Sequence, residues 1–232
     1  MTDKTVVIHQ PDFLPYLGFF HRLLHADLYV VLDTVQFLSG SKSWHNRDKI
    51  RTRQGEAWLT VPTVKAPRQT PINRIMIAND GGWRLNHLNL LNHNYRNAPF
   101  FKEIWPIVEK LYAGTETVLA DFSLKSIKML MELFDIRVEI AMASELAVEG
   151  KSNELLSDIL QKTGATSYLS GVGARAYFDP APFDRAGIRV TWQEFRHPEY
   201  PQLYSPFMPY MSSIDLFFTC GISSARTILR SC

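Results

Sequence analysis

Residues 5–33 read TVVIHQPDFLPYLGFFHRLLHADLYVVLD. The β-branched run at 5–8 predicts a buried strand that ends at a proline turn, residues 18–25 predict a short helix, and residues 28–32 predict a second buried strand. A strand, a helix and a strand in that order form a βαβ unit, whose two strands lie parallel. This stretch therefore predicts an α/β fold with a parallel-sheet core.

The α/β pattern returns after residue 138, beyond a middle block with a helical pattern. Residues 81–135 carry apolar side chains at helical spacing in three segments and predict a helical lobe within one α/β domain of residues 1–232. Residues 34–56 are polar and predict irregular structure. Further strands are predicted at 58–61, 72–77, 138–141, 168–169 and 188–192, and further helices at 153–163, 183–186 and, with a break at Gly221, 211–230.

The composition narrows the class of protein. Of 232 residues, 46% are hydrophobic and 21% are charged, which is typical of a globular protein and excludes a disordered or fibrous one. Lys and Arg number 25 against 23 Asp and Glu, so the net charge of +2 does not indicate non-specific nucleic-acid binding. Cys220 and Cys232 cannot make a disulfide framework, and the N-terminal apolar run covers only residues 6–8. We therefore expect a cytoplasmic protein without a membrane span.

The loop after the first strand carries the first candidate site. His9, Gln10 and Asp12 follow the strand, and ligands of open α/β sheets bind at the carboxyl ends of strands. Gly18 begins the next helix, whose free N–H groups favour an anion. The alternative is a proline-rich turn around a buried, hydrogen-bonded histidine. The further polar residues on the same loop favour the binding site.

A second candidate is Asp33, which ends the second strand and is soon followed by Gln36. An acid at this position of a nucleotide-binding βαβ unit often meets a ribose or a cation. Capping a helix or a loop is an equally common role for an aspartate, so both roles stay open.

A basic and aromatic stretch, KSWHNRDKIRTR, covers residues 42–53. Arginine side chains bind phosphate or carboxylate in a bidentate manner, and a tryptophan can stack on a base or a sugar ring. The alternative is a solvated surface loop, but an exposed tryptophan is unfavourable unless it has a binding partner. The predicted substrate-binding residues of this stretch are Lys42, Trp44, Asn46, Arg47 and Lys49.

Residues 170–175, SGVGAR, form a glycine-rich loop between a predicted strand and a short helix. Gly171 and Gly173 allow the backbone to approach a ligand closely. The segment lacks the GK[ST] ending of a P-loop and is not a full GxGxxG motif. The chain has no HExxH motif, cysteine cluster or paired-carboxylate motif, so no metal site is predicted and the cofactor is left unknown.

Several stretches between residues 9 and 221 together resemble the WbqC-like protein family. They are HQPDFLPYLGFFHRLLHADLYVVLDTVQF (9–37), WHNRDKIRT (44–52), WLTVPTV (58–64), YLSGVGARAYFDPAPFDRAGIRV (168–190) and FMPYMSSIDLFFTCG (207–221). The family usually shows Gln-Asn-Arg where this chain has His45-Asn46-Arg47. The resemblance implies a bacterial biosynthetic enzyme that transfers a group, such as an acyl or aminoacyl group, to an amino-sugar or a similar amine. Such enzymes belong to surface-polysaccharide or natural-product biosynthesis.

A weaker likeness to nucleotidyltransferases with a HxGH motif bears on the fold. The order of strand, loop 15–19, helix and strand is similar to the start of those enzymes, and residues 222–224 resemble their late ISST motif. Tyr16 and Phe19 stand in place of the two motif histidines, which bind nucleotide phosphates there. The likeness implies a nucleotidyltransferase-like Rossmann-type fold. However, this chain lacks the two histidines that those enzymes use for nucleotidyl transfer.

The leading hypothesis is a group transferase whose cleft lies at the carboxyl ends of the strands. His9 is predicted to act as a general base, because an unperturbed imidazole has a pKa near neutrality. Asp12 or Asp33 is predicted to orient this imidazole or to hold the nucleophile. Arg47 is predicted to hold, with neighbouring lysines, the phosphate or carboxylate of a small-molecule substrate. The other predicted contacts are Gln10, Tyr16, Gln36, Lys42, Trp44, Asn46, Lys49, Gly171 and Gly173.

Other functions stay open. The same fold can bind a nucleotide or an RNA end, a tRNA among them, without catalysis, with Trp44 and Trp58 as a stacking platform. It can also be a nucleotidyltransferase-like enzyme, or a non-catalytic partner in a biosynthetic complex. A steep salt dependence of affinity would indicate nucleic acid. Stable co-purification without a small-molecule ligand would indicate the complex.

Overall fold

The computed structural model describes residues 3–38, 40, 43–78 and 81–232. The strands are β1 (Thr5–His9), β2 (Leu28–Val31), β3 (Arg47–Thr52), β4 (Gly55–Thr60), β5 (Glu139–Met142), β6 (Ser167–Ser170) and β7 (Arg189–Trp192). The α-helices are α1 (Leu17–Leu24), α2 (Trp83–Tyr95), α3 (Phe101–Tyr112), α4 (Leu119–Phe134), α5 (Asn153–Lys162), α6 (Ala181–Arg185) and α7 (Ser213–Arg230). Short 3-10 turns lie at Ile72–Arg74, Ala143–Glu145 and Val172–Tyr177.

A five-stranded sheet with the order β5-β2-β1-β6-β7 forms the centre of the molecule. Each neighbouring pair of strands in this sheet is parallel. Numbered by their own sequence order, these strands follow the order 3-2-1-4-5 of Rossmann-type folds. The predicted α/β fold with a Rossmann-like parallel core is therefore confirmed. The strand order reverses between β1 and β6, and this switch point is where such folds bind ligands.

The opening βαβ unit forms as predicted, with β1 and β2 paired in parallel and joined by α1. Alternate residues of a strand face opposite sides of the sheet. Val7 therefore lies in an apolar cluster with side chains of α1, α4 and α7, whereas Val6 and Ile8 lie in a second cluster with α5 and α6. The sheet is the middle layer between two groups of helices.

The middle block of the chain is helical, as the spacing of its apolar residues predicts. α2, α3 and α4 lie within residues 83–134, and α3 and α4 both contact α7. Their apolar side chains belong to the same cluster as Val7, Tyr29 and Val31 of the sheet. The block therefore shares its core with the sheet. None of the helices in the described part of the chain combines the length and the apolar character needed to cross a bilayer.

An antiparallel hairpin is the main difference from the predicted structure. The sequence predicts irregular structure over 34–56, but β3 pairs with β4 across this region. Arg51 of β3 is buried and donates hydrogen bonds to the carbonyl oxygens of Thr52 (2.6 Å), Gly55 (2.7 Å) and Pro206 (3.0 Å). Because these carbonyls accept hydrogen bonds from both Nη atoms of the guanidinium, a charged residue can take an inward position of the strand. The apolar alternation that marks a strand is then lost.

The predicted strand at 72–77 is also wrong. Residues 72–74 form a 3-10 turn, and only isolated bridges follow it in the described structure. Ile72, Ile75 and Ile77 are buried, and the turn packs against α4. Burial of alternate residues in an irregular segment therefore produces the same apolar period as a half-exposed strand.

A buried acid at the start of α7 anchors the segment that precedes this helix. Asp215 accepts hydrogen bonds from Tyr95 Oη at 2.6 Å, from Tyr200 Oη at 2.9 Å and from Gln202 Nε2 at 2.9 Å. Burial raises the pKa of Asp215, and these donors oppose that rise. The hydrogen bonds connect α2 and the segment around residue 200 to α7.

α7 breaks at Gly221, as the sequence predicts. The φ of 74° and ψ of 171° of this residue lie in a region that is essentially restricted to glycine. A Cβ at this position would lie 2.6 Å from the ring of Phe100. Both the backbone conformation and the close contact therefore require glycine here.

Replacement of Gly221 by alanine is expected to destabilise the fold by at least about 2 kcal/mol, because backbone strain and the clash with Phe100 act together. Urea unfolding of wild type and Gly221→Ala measures this difference in the free energy of unfolding. Gly81→Ala is the control, because a Cβ on Gly81 meets no described atom within 4 Å. Equal unfolding midpoints for all three proteins would show that glycine is not required at the break.

Candidate active site

A cavity of about 620 Å³ opens at the switch point of the sheet. The ladder between β1 and β6 ends at the Val6–Tyr168 pair, although β1 continues to His9 and β6 to Ser170. The carboxyl ends of β1 and β6, which do not pair with each other, line the cavity. The loop after β1, the N-terminus of α5 and the segment after β6 line it as well. This is the position at which open α/β sheets bind ligands.

The cavity brings together one part of the predicted site. The predicted residues that line it are His9, Gln10, Asp12, Tyr16, Trp44, Gly171 and Gly173. The predicted residues that do not line it are Asp33, Gln36, Asn46, Arg47 and Lys49. Lys42 lies outside the described residues. The loops after β1 and β6 therefore converge, whereas most of the basic stretch lies elsewhere.

Asp33 has a structural position that does not fit the predicted catalytic role. Its Oδ1 accepts a hydrogen bond from Ser144 N at 3.0 Å, and its Oδ2 accepts from Ser144 Oγ at 2.7 Å and from Asn73 Nδ2 at 3.1 Å. Both carboxylate oxygens are therefore engaged with the segments around residues 144 and 73. No hydrogen bond joins Asp33 to His9 among the described residues, and Asp33 does not line the cavity.

Arg47 and Lys49, which are predicted to bind an anion, have partners within the protein and do not line the cavity. The Arg47 guanidinium lies 4.1 Å from the centre of the Trp58 ring, and its Nε donates to the carbonyl oxygen of Ser43 at 3.3 Å. Lys49 Nζ forms an ion pair with Glu56 at 2.8 Å. Contacts within the hairpin occupy both cations, so neither is directed into the cavity.

Gln36 and Asn46 hold backbone segments in place. Gln36 forms an isolated β-bridge with Pro71. The amide of Asn46 donates a hydrogen bond to the carbonyl oxygen of Val61 at 2.9 Å. The Gln36 contact is made by its main chain and the Asn46 contact by its side chain, and the substrate contacts expected of both residues stay predictions.

The cavity contains a cation that the sequence interpretation missed, Arg22 of α1. Only 6% of this residue is exposed, yet its Nε has no hydrogen-bond partner and its guanidinium forms no ion pair among the described residues. A Cβ on Gly171 would lie 3.3 Å from Nη1, so the guanidinium lies against the carboxyl end of β6. In the sequence, the sign of this site was a single arginine within the apolar run that forms α1. An unpaired buried charge of this kind marks a candidate anion site.

His9 stays within the site, but its electrostatic environment differs from the predicted one. Burial, followed by the positive charge of Arg22, lowers the pKa of His9 to about 3. Its Nδ1 lies 3.0 Å from the carbonyl oxygen of Gln10 and therefore carries the proton, because that oxygen can only accept. At neutral pH His9 is an uncharged imidazole with an Nε2 lone pair. It is a much weaker base than its ordinary pKa predicts.

Asp12 has a pKa that suits proton transfer near neutrality. Burial raises the pKa of this carboxyl to about 7, and the nearby charge of Arg22 opposes that rise. Asp12 Oδ2 lies 3.6 Å from His9 Nδ1. A carboxyl group that is partly protonated at neutral pH can both accept and release a proton there. Asp12 is therefore the better candidate for the general base.

The mouth of the cavity is aromatic. Trp44 is 41% exposed, Tyr177 is 71% exposed, and Tyr210 is also exposed. The Trp44 ring packs on Trp58 with a distance of 5.5 Å between ring centres. Exposed aromatic rings at the edge of a cavity offer a surface to a planar or apolar part of a ligand.

The lining favours an oxyanion over a metal ion. Ser152 and Asn153 at the N-terminus of α5 line the same cavity as Arg22. Backbone N–H groups at the start of a helix favour negative charge. Across residues 3–38, 40, 43–78 and 81–232, no group of three or more His, Cys, Asp or Glu side chains is arranged to hold a metal. A phosphate or carboxylate of a substrate or cofactor therefore fits this side of the cavity.

The fold and the cavity define an α/β protein with a Rossmann-like core and a candidate site at the switch point of its sheet. The model of the WbqC-like protein family matches residues 10–227, and the chain belongs to this family. A protein of Mycobacterium tuberculosis (strain ATCC 25618 / H37Rv), named Uncharacterized protein Rv1507c, is 32% identical over 233 residues, which cover 99% of each chain. No solved structure was found to match the chain.

The Asp12→Asn variant tests the raised pKa of Asp12. The carboxyl loses its proton at about pH 7 in the folded protein and at about pH 4 in an unfolded chain. Between these pH values the folded state binds more protons, so Asp12 makes the fold less stable as the pH rises. We expect the free energy of unfolding of Asp12→Asn, relative to wild type, to rise by on the order of 4 kcal/mol from pH 4 to pH 7.

Urea unfolding at a series of pH values measures this difference. The comparison with wild type is essential, because the lowered pKa of His9 acts in the opposite direction in both proteins. Asp184→Asn, which changes an exposed acid that does not line the cavity, serves as the control. If the difference for Asp12→Asn stays flat across this pH range, the pKa of Asp12 is ordinary.

Proposed function

We propose that this protein is a group transferase that moves an acyl or aminoacyl group to the amine of a small molecule bearing a phosphate or a carboxylate. One observation carries the proposal: Arg22, a buried cation, and Asp12, a carboxyl with a pKa of about 7, open into the same cavity. The cation suits binding of an anionic group, and the carboxyl suits proton transfer at neutral pH.

Arg22 is well placed to fix the anionic end of a substrate. Its helix is packed on all sides, and a guanidinium buried in this way is already oriented before the ligand arrives. An ion pair that forms inside such a cavity is stronger than one at the surface, because fewer water molecules screen it. The substrate supplies the negative charge that the described part of the protein does not place beside Arg22.

Asp12 acts as the general base in this proposal, in place of His9. The amine nitrogen attacks the carbonyl carbon of the donor, a C–N bond forms, and the proton passes from nitrogen to the Asp12 carboxylate. The bond from the carbonyl carbon to the leaving oxygen or sulfur then breaks, and the proton passes from Asp12 to that atom. The Nε2 lone pair of His9 accepts a hydrogen bond that orients the amine. A carboxyl with a pKa near the working pH suits both proton transfers.

Membership of the WbqC-like family supports a biosynthetic setting for this reaction. The family resemblance implies work on surface polysaccharides or natural products, in which amino-sugars and similar amines are acceptors. We place the reaction in the cytoplasm. The donor is any activated acyl or aminoacyl group whose carbonyl can reach the amine beside Asp12.

A second candidate function is binding of a nucleotide or an RNA end without chemistry. It is favoured by the stack at the mouth of the cavity, where Trp44 packs on Trp58 and the Arg47 guanidinium lies over the Trp58 ring. Aromatic rings and arginine planes of this kind bind unpaired bases. If the protein only binds RNA, its affinity should depend steeply on the salt concentration, and no ligand should be chemically changed.

The Arg22→Met variant separates binding from folding. Since Arg22 has no ion-pair partner among the described residues, we expect the Tm without ligand to stay the same or rise. We expect thermal stabilisation by inorganic phosphate to be lost. Differential scanning fluorimetry measures both quantities. Arg137→Met, which removes an exposed cation, is the control and should keep the wild-type response. A full phosphate response in Arg22→Met would contradict the anion site.

The transfer itself is tested by incubation with acyl-CoA or aminoacyl donors and an amino-sugar phosphate, with mass spectrometry of the products. We expect an acylated amine, formed at least about a hundredfold more slowly by Asp12→Asn than by wild type. Asp184→Asn should keep the wild-type rate, because it does not line the cavity. RNA binding with a steep salt dependence, and no product from any donor, would favour the second candidate.

A further inference from the structure

A second carboxyl group, Asp48 of β3, lines the same cavity as Asp12 and Arg22. Asp48 is only 2% exposed, and its Oδ1 accepts a hydrogen bond from the backbone N–H of Lys49 at 2.6 Å. No other hydrogen bond and no ion pair of this carboxyl is found in the described part of the chain. The Lys49 ammonium pairs with Glu56 instead. Asp48 is therefore a nearly buried acid without a cationic partner there.

Ionisation is unfavourable for both acids of the cavity, Asp12 and Asp48. Burial raises the pKa of both carboxyls. At Asp48 the charge of Asp12 adds to that rise, whereas the backbone N–H and the charge of Lys49 oppose it. Arg22 lowers the pKa of Asp12, but its guanidinium is not within ion-pair distance of either acid. Buried carboxyls that repel each other become ionised more easily when a cation enters between them. The cavity is therefore complementary to a ligand with a positive group.

The lining also indicates which kind of cation fits. A zinc site needs three or four side-chain ligands in a fixed geometry, and the described residues contain no group of three suitable side chains. An ammonium group needs only hydrogen-bond acceptors, and two carboxyls supply them. An ammonium group therefore fits the Asp12 and Asp48 carboxyls of this cavity better than a zinc ion does.

Building on the proposed function, we infer that Asp12 and Asp48 bind the ammonium group of the acceptor while Arg22 binds its oxyanion. The acceptor is then an amine that itself carries a phosphate or a carboxylate. A cavity of about 620 Å³ lies within the range that holds a small ligand of this kind. Amino-sugar phosphates and amino-sugar acids belong to this class.

The same arrangement prepares the amine for reaction. The ammonium group gives one proton to the Asp12 carboxylate, and Asp12 releases this proton to solvent, which leaves a neutral amine and an ionised Asp12 that can accept the second proton after the attack. Asp48 keeps its hydrogen bond to the nitrogen and acts as a positioning residue. The neutral amine then has the lone pair that the attack on the donor carbonyl requires.

Isothermal titration calorimetry with matched sugars tests this inference. We expect wild type to bind glucosamine 6-phosphate at least about tenfold more tightly than glucose 6-phosphate, which lacks the amine. Glucosaminic acid and gluconic acid form the matching pair for a carboxylate. A preference for the amine in one pair only would show which oxyanion Arg22 accepts.

Variants assign the preference to the two acids. Asp48→Asn is expected to lose the preference for the amine while it keeps the affinity for glucose 6-phosphate. Arg22→Met is expected to lose affinity for both sugars. Asp184→Asn, which changes an exposed acid that does not line the cavity, should behave as wild type. If Asp48→Asn does not fold, Asp12→Asn provides the same comparison.

Equal affinity of wild type for the members of each pair would overturn the inference, and so would the absence of binding for both amines. A preference that survives unchanged in Asp48→Asn would remove this residue from the amine site. These results are separate from the proposed function. Transfer to an amine without an oxyanion would overturn the inference alone, whereas tight binding of an amine without any transfer product would overturn the proposed function alone.

Discussion

The charge of the buried Arg22 guanidinium controls the chemistry of the cavity. It lowers the pKa of His9 and works against the rise that burial causes at Asp12. The side chain is held at the wall of the cavity because α1 is buried along residues 17–23, and only 6% of Arg22 is exposed. Close approach of the guanidinium to β6 also depends on Gly171, where a Cβ would lie 3.3 Å from Nη1. A cation held in this way is unfavourable until an anion enters.

The topology of the sheet creates the cavity that the Arg22 guanidinium lines. β1 and β6 run side by side but are hydrogen-bonded only at their first residues, because the chain leaves the sheet in opposite directions beyond them. Polar residues after β1 meet the segment after β6 in the gap. The hairpin of β3 and β4 then closes one side and contributes Asp48 and Trp44. The polar groups that line the cavity thus come from segments far apart in the chain.

The sequence predicted one part of this site and missed another. His9 and Asp12 could be placed together because a general rule locates ligands at the carboxyl ends of parallel strands. Arg47 and Lys49 were misplaced, since a run of charges does not show which side chains find partners within a hairpin. Arg22 was overlooked because it stands alone among apolar residues, where only the packing of α1 shows its lack of a partner.

The sequence by itself determined the class of fold, the opening βαβ unit, the helical middle block and the family. These features can be predicted because they depend on the spacing of apolar residues and on turn residues, which are properties of short stretches of the chain. Only the tertiary structure decided the protonation of His9 and Asp12, the pairing of β3 with β4, and the presence of Arg22 and Asp48 in one cavity. Burial and long-range charge set a pKa, and both depend on residues that are distant in the chain. The chemistry of the cavity therefore follows from packing, although the sequence places its loops.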